Sequence, residues 1–222
     1  MILILSILVI LILFFGLIEF RIHQKSLSKI PIRIHVNGSR GKSSVVRLIA
    51  AGLRSGGVKT VAKTTGTSPR IIDEFGHDKY IHRLRSASIG EQISLIRRFS
   101  KIKPDALVIE CMAVNPQYQW ISEHKIVRST IGVMTNVRPD HLDEMGISIN
   151  QITKSMANTI PFNGTLVTAE DKQLSLLESI AKDRNSKIYS TVEDKIDNDN
   201  ISDFDYLEHK ENISLALKVC QL

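Results

Sequence analysis

The stretch Asn37-Gly38-Ser39-Arg40-Gly41-Lys42-Ser43-Ser44 constrains this chain more tightly than any other. It follows a short apolar run with β character, Ile32 to Val36, and opens a run with helical character, Ser43 to Arg54. A glycine-rich turn between strand and helix aims several backbone N–H groups at one point, and the helix dipole adds positive potential there. Lys42 adds a full charge, and the Ser43 hydroxyl can serve a magnesium ion bridging phosphates. The residues therefore predict a site for a nucleoside triphosphate. The match departs from G-x-x-x-x-G-K-[ST], because Val36 stands where that pattern has glycine. A basic helix N-terminus is the plainer alternative, and the flanking strand and helix favour the phosphate loop.

From Ile2 to Ile18 the chain carries no charge and is almost wholly Ile, Leu, Val and Phe. At about 1.5 Å per residue, such a helix just spans a hydrocarbon core of about 30 Å. A cleaved signal peptide would have a basic start and a small-residue cleavage site. Here Arg21, Lys25 and Lys29 follow the apolar run instead. The expectation is an uncleaved anchor over 1–20 and a basic juxtamembrane linker over 21–30. The cations would hold the rest of the chain, 31–222, on the cytoplasmic side as a single-pass cell-membrane protein.

The formal net charge is +6. The juxtamembrane cations, which suit anionic lipid, account for part of it. Arg70, His82, Arg83 and Arg85 supply more, and could serve a polyanion or form a solvated loop. No groove-reading motif is present and aromatics are only 5%, so nucleic acid is not the expected partner. Cys111 and Cys220 are too few and too far apart for a disulfide framework or metal knuckle, and read as reduced thiols.

Beyond the phosphate loop, apolar β-type runs alternate with amphipathic helical ones. The helix after the loop turns Val45, Val46, Ile49 and Leu53 inward. Further strands are expected at Val58–Ala62, Ala106–Ile109, Thr130–Met134, Leu166–Val167 and Lys187–Tyr189. Helices are expected at Glu91–Lys101, Ile149–Thr159, Leu174–Lys182 and Asn212–Cys220, with residues 70–90 polar and irregular and Glu193–Asp205 an acidic loop. That alternation predicts an α/β fold, a mostly parallel sheet with helices on both faces. In such sheets, ligands sit beyond the carboxyl ends of the strands. Two further strand ends carry chemistry there: Glu110, placed as an acidic magnesium ligand is in phosphate-loop enzymes, and Asn136-Val137-Arg138-Pro139-Asp140-His141-Leu142-Asp143.

The string G-S-R-G-K-S-S, the Glu after an apolar strand and the N-x-x-x-D-H-x-D segment together resemble the Mur ligase superfamily. Lys63-Thr64-Thr65-Gly66-Thr67, Ile89-Gly90-Glu91-Gln92, Glu110-Cys111-Met112-Ala113-Val114-Asn115-Pro116 and the apolar N-terminus are similar to the ligase subunits of capsular poly-γ-glutamate synthases. The resemblance implies an ATP-dependent, magnesium-requiring amide ligase that adds glutamate to a poly-γ-glutamate chain through an acyl phosphate. It implies further membrane subunits as partners. It assigns Asn37, Gly38, Ser39, Arg40, Gly41, Lys42, Ser43 and Ser44 to ATP phosphates, with Lys42, Glu110 and His141 as catalytic residues. Ser43, Glu110 and His141 become the metal set, and Asn212 an adenine contact. Two departures accompany it. The family's carbamylated lysine falls near Met156, where Lys154 is the nearest substitute, and the family's C-terminal ligase domain is expected to be absent. An unrelated membrane-anchored ATPase or kinase, or a truncated non-catalytic scaffold subunit, stays open as an alternative.

Overall fold

The computed structural model describes residues 2–66, 68–82, 88–192 and 209–222. Arg83, Arg85, Thr67 and the acidic stretch Glu193–Asp205 lie outside the described residues. Eight strands form one sheet: β1 (Ile32–Asn37), β2 (Thr60–Thr64), β3 (Arg70–Ile72), β4 (Asp78–Tyr80), β5 (Ala106–Glu110), β6 (Ile131–Met134), β7 (Thr165–Thr168) and β8 (Lys187–Ser190). Their order is β4-β3-β2-β5-β1-β6-β7-β8. From β2 to β8 all pairings are parallel, and β1 lies between β5 and β6 with Val36 opposite Glu110 and Asn37 opposite Met134. Residues 70–90, expected to be irregular, instead add β3 and β4 as an antiparallel edge. Polar Arg70, Asp78 and Lys79 alternate there on a half-exposed edge, where a parallel-core hydrophobic pattern is not required.

Beside β1, the central strands β5 and β6 are apolar on both faces because both faces are covered, whereas β1 alternates Ile32, Ile34 and Val36 with Arg33 and His35. On one face, α2 (Lys42–Ser55) and α8 (Lys210–Cys220) enclose Ile34, Val36, Val108 and Val133 with Val46, Ile49 and Leu215. On the other, α3 (Gly90–Ile102) buries Leu95, Ile96 and Phe99 against Val61, Leu107 and Ile109. Beside it, α6 (Ile149–Met156) and α7 (Leu174–Asp183) bury Ile152, Met156 and Leu177 against Met134 and Leu166. Between these groups, α4 (Pro116–Ile121) runs into a π-helical turn, Ser122–Val127. That wider turn carries Glu123 under β1, where His35 Nδ1 donates to its carboxylate at 2.8 Å and both side chains are buried.

The apolar N-terminal run forms α1, Ile2–Leu27. It is long and apolar enough to cross a membrane, and residues 2–22 are exposed along it. The expected linker over 21–30 is not a linker: the helix continues unbroken through Leu27 and docks on the domain. Leu27 and Ile30 join the core beside Phe99 and Ile126. His23 Nε2 donates to the Ile126 carbonyl at 2.8 Å, and Arg97 pairs with Glu19. Burial of these two apolar side chains offsets the backbone entropy a flexible linker would have kept.

Candidate active site

The turn after β1 owes its shape to two glycines with left-sided backbones. Gly38 has φ +135°, and a Cβ there would lie 2.0 Å from Thr135 Oγ1. Gly41 has φ +82°, and a Cβ there would lie 2.7 Å from Asn212 Oδ1. Only glycine meets both demands, a backbone that L side chains rarely adopt and no room beside it. The turn is stitched to the loop after β6: Ser39 N donates to the Asn136 carbonyl at 2.9 Å, Arg40 N to Asn136 Oδ1 at 3.1 Å and Thr135 Oγ1 to the Arg40 carbonyl at 2.6 Å. Ser39 Oγ donates to the Arg138 carbonyl at 3.0 Å and accepts from Arg138 N at 2.8 Å.

Gly41 then opens α2 without any side-chain cap, and no acidic residue sits in the first turn. The contrast with α6 is direct, since Ser148 and Gln151 close the N-terminus of that helix with a complete capping box. An uncapped helix start beneath a glycine turn is a cradle for an anion. Lys42 Nζ donates to the Gly38 and Ser39 carbonyls at 2.7 and 3.3 Å, which keeps its charge folded over that cradle.

Glu110, at the end of β5, is buried and receives two donors on one oxygen: Ser43 Oγ at 2.7 Å and Thr65 N at 2.8 Å. Three elements thus converge on one carboxylate. They line a cavity of about 280 Å³ with Gly38, Lys42, Asp140 and His141. The Ser43 hydroxyl and the Glu110 carboxylate are hard oxygen donors in contact, a pair that suits magnesium, which keeps several waters and takes few protein ligands. The donor set fits the ion in that limited sense. Among the described residues, no three His, Cys, Asp or Glu side chains lie close enough to hold a metal by themselves.

The expected site residues divide into those that face the cavity and those that build it. Asn37, Gly38, Lys42, Glu110 and His141 line it, and Ser43 enters through Glu110. His141 is half exposed, has a left-handed backbone and sits 3.8 Å from Asp140 Oδ1. The Asn37 amide is committed elsewhere, donating to Gln119 Oε1 at 2.9 Å and to Thr159 Oγ1 at 3.2 Å, while its oxygen accepts from Gly38 N. With Ser39 bound to Arg138, these two side chains hold the shape of the turn. Arg40 is exposed on the rim and Ser44 lies in the first turn of α2. Asn212, near the start of α8, is buried against Gly41 on the flank of the turn. Lys154 does not substitute at Met156: Met156 is buried and lines the cavity, whereas Lys154 is exposed on α6 beside Asp143 and Glu144. Residues two apart on a helix point to different faces, so the side chain at 154 faces away from that at 156.

Sequence reasoning did not single out Thr65, Asp140 or Asn136 individually, although each lay within a quoted string, and Thr135 fell between two of them. Lys63, just past the strand expected at Val58–Ala62, lies within β2 as a fully buried side chain 2.9 Å from Glu91 Oε1. A buried lysine within a TVAKT strand has no period-based signature.

Comparison with known proteins matches residues 36–220 to the Mur ligase middle domain. The capsule biosynthesis protein CapB of Bacillus anthracis is 39% identical over 223 residues, covering 100% of this chain and 48% of that protein. PGA synthase CapB of Bacillus subtilis (strain 168) is 40% identical over 212 residues, 95% of this chain and 54% of that protein. The chain thus spans about half the length of these curated relatives. Among solved structures, E. coli FolC in complex with DHPP and ADP superposes with a TM-score of 0.67 at 15% identity, over 91% of this chain and 56% of that one. The bifunctional folylpolyglutamate synthase/dihydrofolate synthase of Yersinia pestis complexed with AMPPNP and Mn gives 0.59 at 16% identity, over 78% and 46%. These two likenesses establish the fold.

Proposed function

The chain belongs to the Mur ligase family through its middle domain, and from that premise we propose that it is the nucleotide-binding part of an ATP-dependent amide ligase. Its reaction is the addition of glutamate to a poly-γ-glutamate chain, as the capsule and PGA synthase names of its relatives suggest. The observation that carries the reading is the convergence of Ser43, Thr65 and Glu110 under an uncapped glycine turn, open to a cavity that Lys42 and His141 share.

In this reading the turn's N–H groups and Lys42 hold the triphosphate. A carboxylate oxygen of the growing chain attacks the γ-phosphorus as the bond to the β-phosphate oxygen breaks, releasing ADP and leaving an acyl phosphate. The amine nitrogen of glutamate then attacks the acyl carbon, phosphate leaves, and the amine gives up a proton to solvent or to His141. Every species on that path is anionic, so the chain's task is electrostatic: fixed donors cost no reorganisation when charge moves. Ser43 and Glu110 would hold magnesium, which would supply neutralisation of phosphate charge. His141 and Asp140 line the same cavity, and in this reading they face the acceptor carboxylate.

The helix α1 supports a single membrane crossing with Arg21, Lys25 and Lys29 on the cytoplasmic side, where ATP is available. Other membrane subunits of a polymer synthase are the partners this placement suits. Lys42→Ala tests the catalytic reading by glutamate-dependent phosphate release. The assay uses the full chain in membranes, supplemented with the C-terminal half of a curated relative if turnover needs it. Loss of release with folded protein is the expected result. Release that survives the substitution, or that never depends on glutamate, overturns the assignment in favour of an unrelated ATPase.

A further inference from the structure

The edge of the sheet opposite the glycine turn carries a second cationic hollow that the ligase chemistry does not use. Two adjoining cavities, about 370 and 190 Å³, share Arg33 at the start of β1 and Arg128 just before β6 as lining residues. Arg33 Nε donates to the Arg128 carbonyl at 2.8 Å, and its Nη1 to the Ile30 carbonyl at 2.6 Å. Arg128 Nη1 donates to Gln24 Oε1 of α1. Among the described residues, neither guanidinium meets a carboxylate within ion-pair distance, and the Nη2 groups of both donate to nothing. Glu123 is the carboxylate lining the larger cavity, and it is committed to His35 on one oxygen and to Ser129 N and Oγ on the other. Burial, and then the Arg128 charge beside it, hold Arg33 below the ordinary arginine range. Two like charges are held together at a cost, with open donors directed to a hollow.

Its place relative to α1 says which anion fits. Gln24, Leu27 and Ser28, at the polar end of α1, form the other wall of the smaller cavity. Gln24 lies four residues past Phe20, the last residue of the expected anchor, which is about 6 Å along a helix axis. The headgroup layer of a bilayer is roughly 5–8 Å thick on each side. With α1 crossing the membrane, the hollow therefore opens at the depth of lipid phosphates. We propose that Arg33 and Arg128 form a binding site for the phosphate of an anionic phospholipid headgroup at the cytoplasmic face. Guanidinium forks match phosphate oxygens in pairs, and a lipid there fastens the domain's membrane edge at a point distinct from the diffuse attraction of Arg21, Lys25 and Lys29. The site rests on the anchor reading of α1 and is independent of the ligase reading.

The test uses the full chain in nanodiscs of phosphatidylcholine alone or with phosphatidylglycerol, read by thermal unfolding and by native mass spectrometry of retained lipid. Wild type should gain thermal stability from phosphatidylglycerol and retain it selectively. Arg128→Gln should lose both, with retention falling about tenfold, the scale of one charge-assisted contact. The double variant Lys25→Gln/Lys29→Gln should keep both. Because Arg33 also ties three carbonyls, Arg33→Lys, which keeps the charge and loses the fork, should lower stability in phosphatidylcholine as well, so this second variant is read by retained lipid alone, where selectivity for phosphatidylglycerol should weaken. Selectivity unchanged in Arg128→Gln, or lost only in the double lysine variant, overturns the proposal. Stabilisation by inorganic phosphate in phosphatidylcholine discs, with no added effect of phosphatidylglycerol, would make a soluble anion the ligand and overturn the lipid assignment. Failure of the chain to enter discs at all would instead refute the anchor.

Discussion

Gly38→Ala isolates the steric demand of the glycine turn. The added Cβ would meet Thr135 Oγ1 at 2.0 Å, Thr135 N at 3.0 Å and Asn136 N at 3.1 Å, on a backbone with φ +135°. The unfavourable dihedral alone costs about 1–3 kcal/mol. Thr135 must also move, and with it goes the hydrogen bond from Oγ1 to the Arg40 carbonyl, at about 1 kcal/mol. The expected loss is about 2–4 kcal/mol, which an ordinary domain survives folded. Thr135→Ala removes the clashing oxygen and should cost about 1 kcal/mol by itself. In the double variant the clash and the hydrogen bond disappear together, so it should be about 1 kcal/mol more stable than the sum of the singles. Urea unfolding of the three variants in detergent measures the cycle, and binding of a fluorescent ATP analogue reports the site. Gly38→Ala should weaken nucleotide binding more than tenfold while Thr135→Ala weakens it slightly. Additivity within about 0.5 kcal/mol would mean that the two residues do not meet, and would refute the close approach on which the cradle depends.

Glu110→Gln keeps an acceptor for Ser43 and Thr65 but removes the charge, so nucleotide affinity should lose its magnesium dependence while affinity in chelator stays near wild type. Titration of the ATP analogue with and without magnesium checks this. Burial by itself would lower the His35 pKa, but its contacts with Cys111 and Glu123 outweigh that and raise it to about 9. Because the folded value lies above the unfolded 6.5, the pair's stabilisation is complete below pH 6.5 and disappears as pH rises through about 9. Wild type should therefore lose about 3 kcal/mol across that window, and Glu123→Gln should flatten the loss, as measured by urea midpoints against pH. Deletion of residues 1–18 should move the chain from the carbonate-resistant membrane fraction to the soluble one, and an unchanged distribution would refute the crossing.

How much of this was legible in the sequence depends on whether a signal was local. The parallel centre of the sheet could be read because Ala106–Ile109 and Thr130–Met134 are nearly unbroken apolar runs and Ile32, Ile34 and Val36 alternate along their strand, all local properties. The edge hairpin could not, because Arg70–Ile72 and Asp78–Tyr80 are short and polar, and their pairing depends on an exposed edge left by β2. Glu110 and Lys42 announced themselves by position at a strand end and in the turn. The roles of Asn37 and Ser39 did not, since whether a side chain faces a ligand or its own scaffold is decided by Gln119, Thr159 and Arg138, residues 82 to 122 positions away. The linker was misread for a similar reason. Arg21, Lys25 and Lys29 are exposed, as they look in sequence, yet the opposite face of the same helix carries His23, Ser26 and Leu27, which bury against the domain.

That docking changes what the anchor means mechanically. Leu27 and Ile30 are core residues, and Ile32 begins the strand that leads directly into the glycine turn. β1 is hydrogen-bonded on both sides, to β5 and β6, and cannot shift without breaking two ladders. Its six residues span about 20 Å. Arg33 stands at one end and Gly38 just past the other, with the buried His35–Glu123 pair between them. A phosphate at the Arg33 hollow is thus too far from the nucleotide cavity to compete for its donors. The two anion sites share a rigid central strand, so membrane contact at one end and nucleotide at the other should contribute additively to stability. A chain bearing both ligands should unfold at a denaturant midpoint equal to the sum of the separate shifts, and departure from additivity would show that β1 transmits more than position.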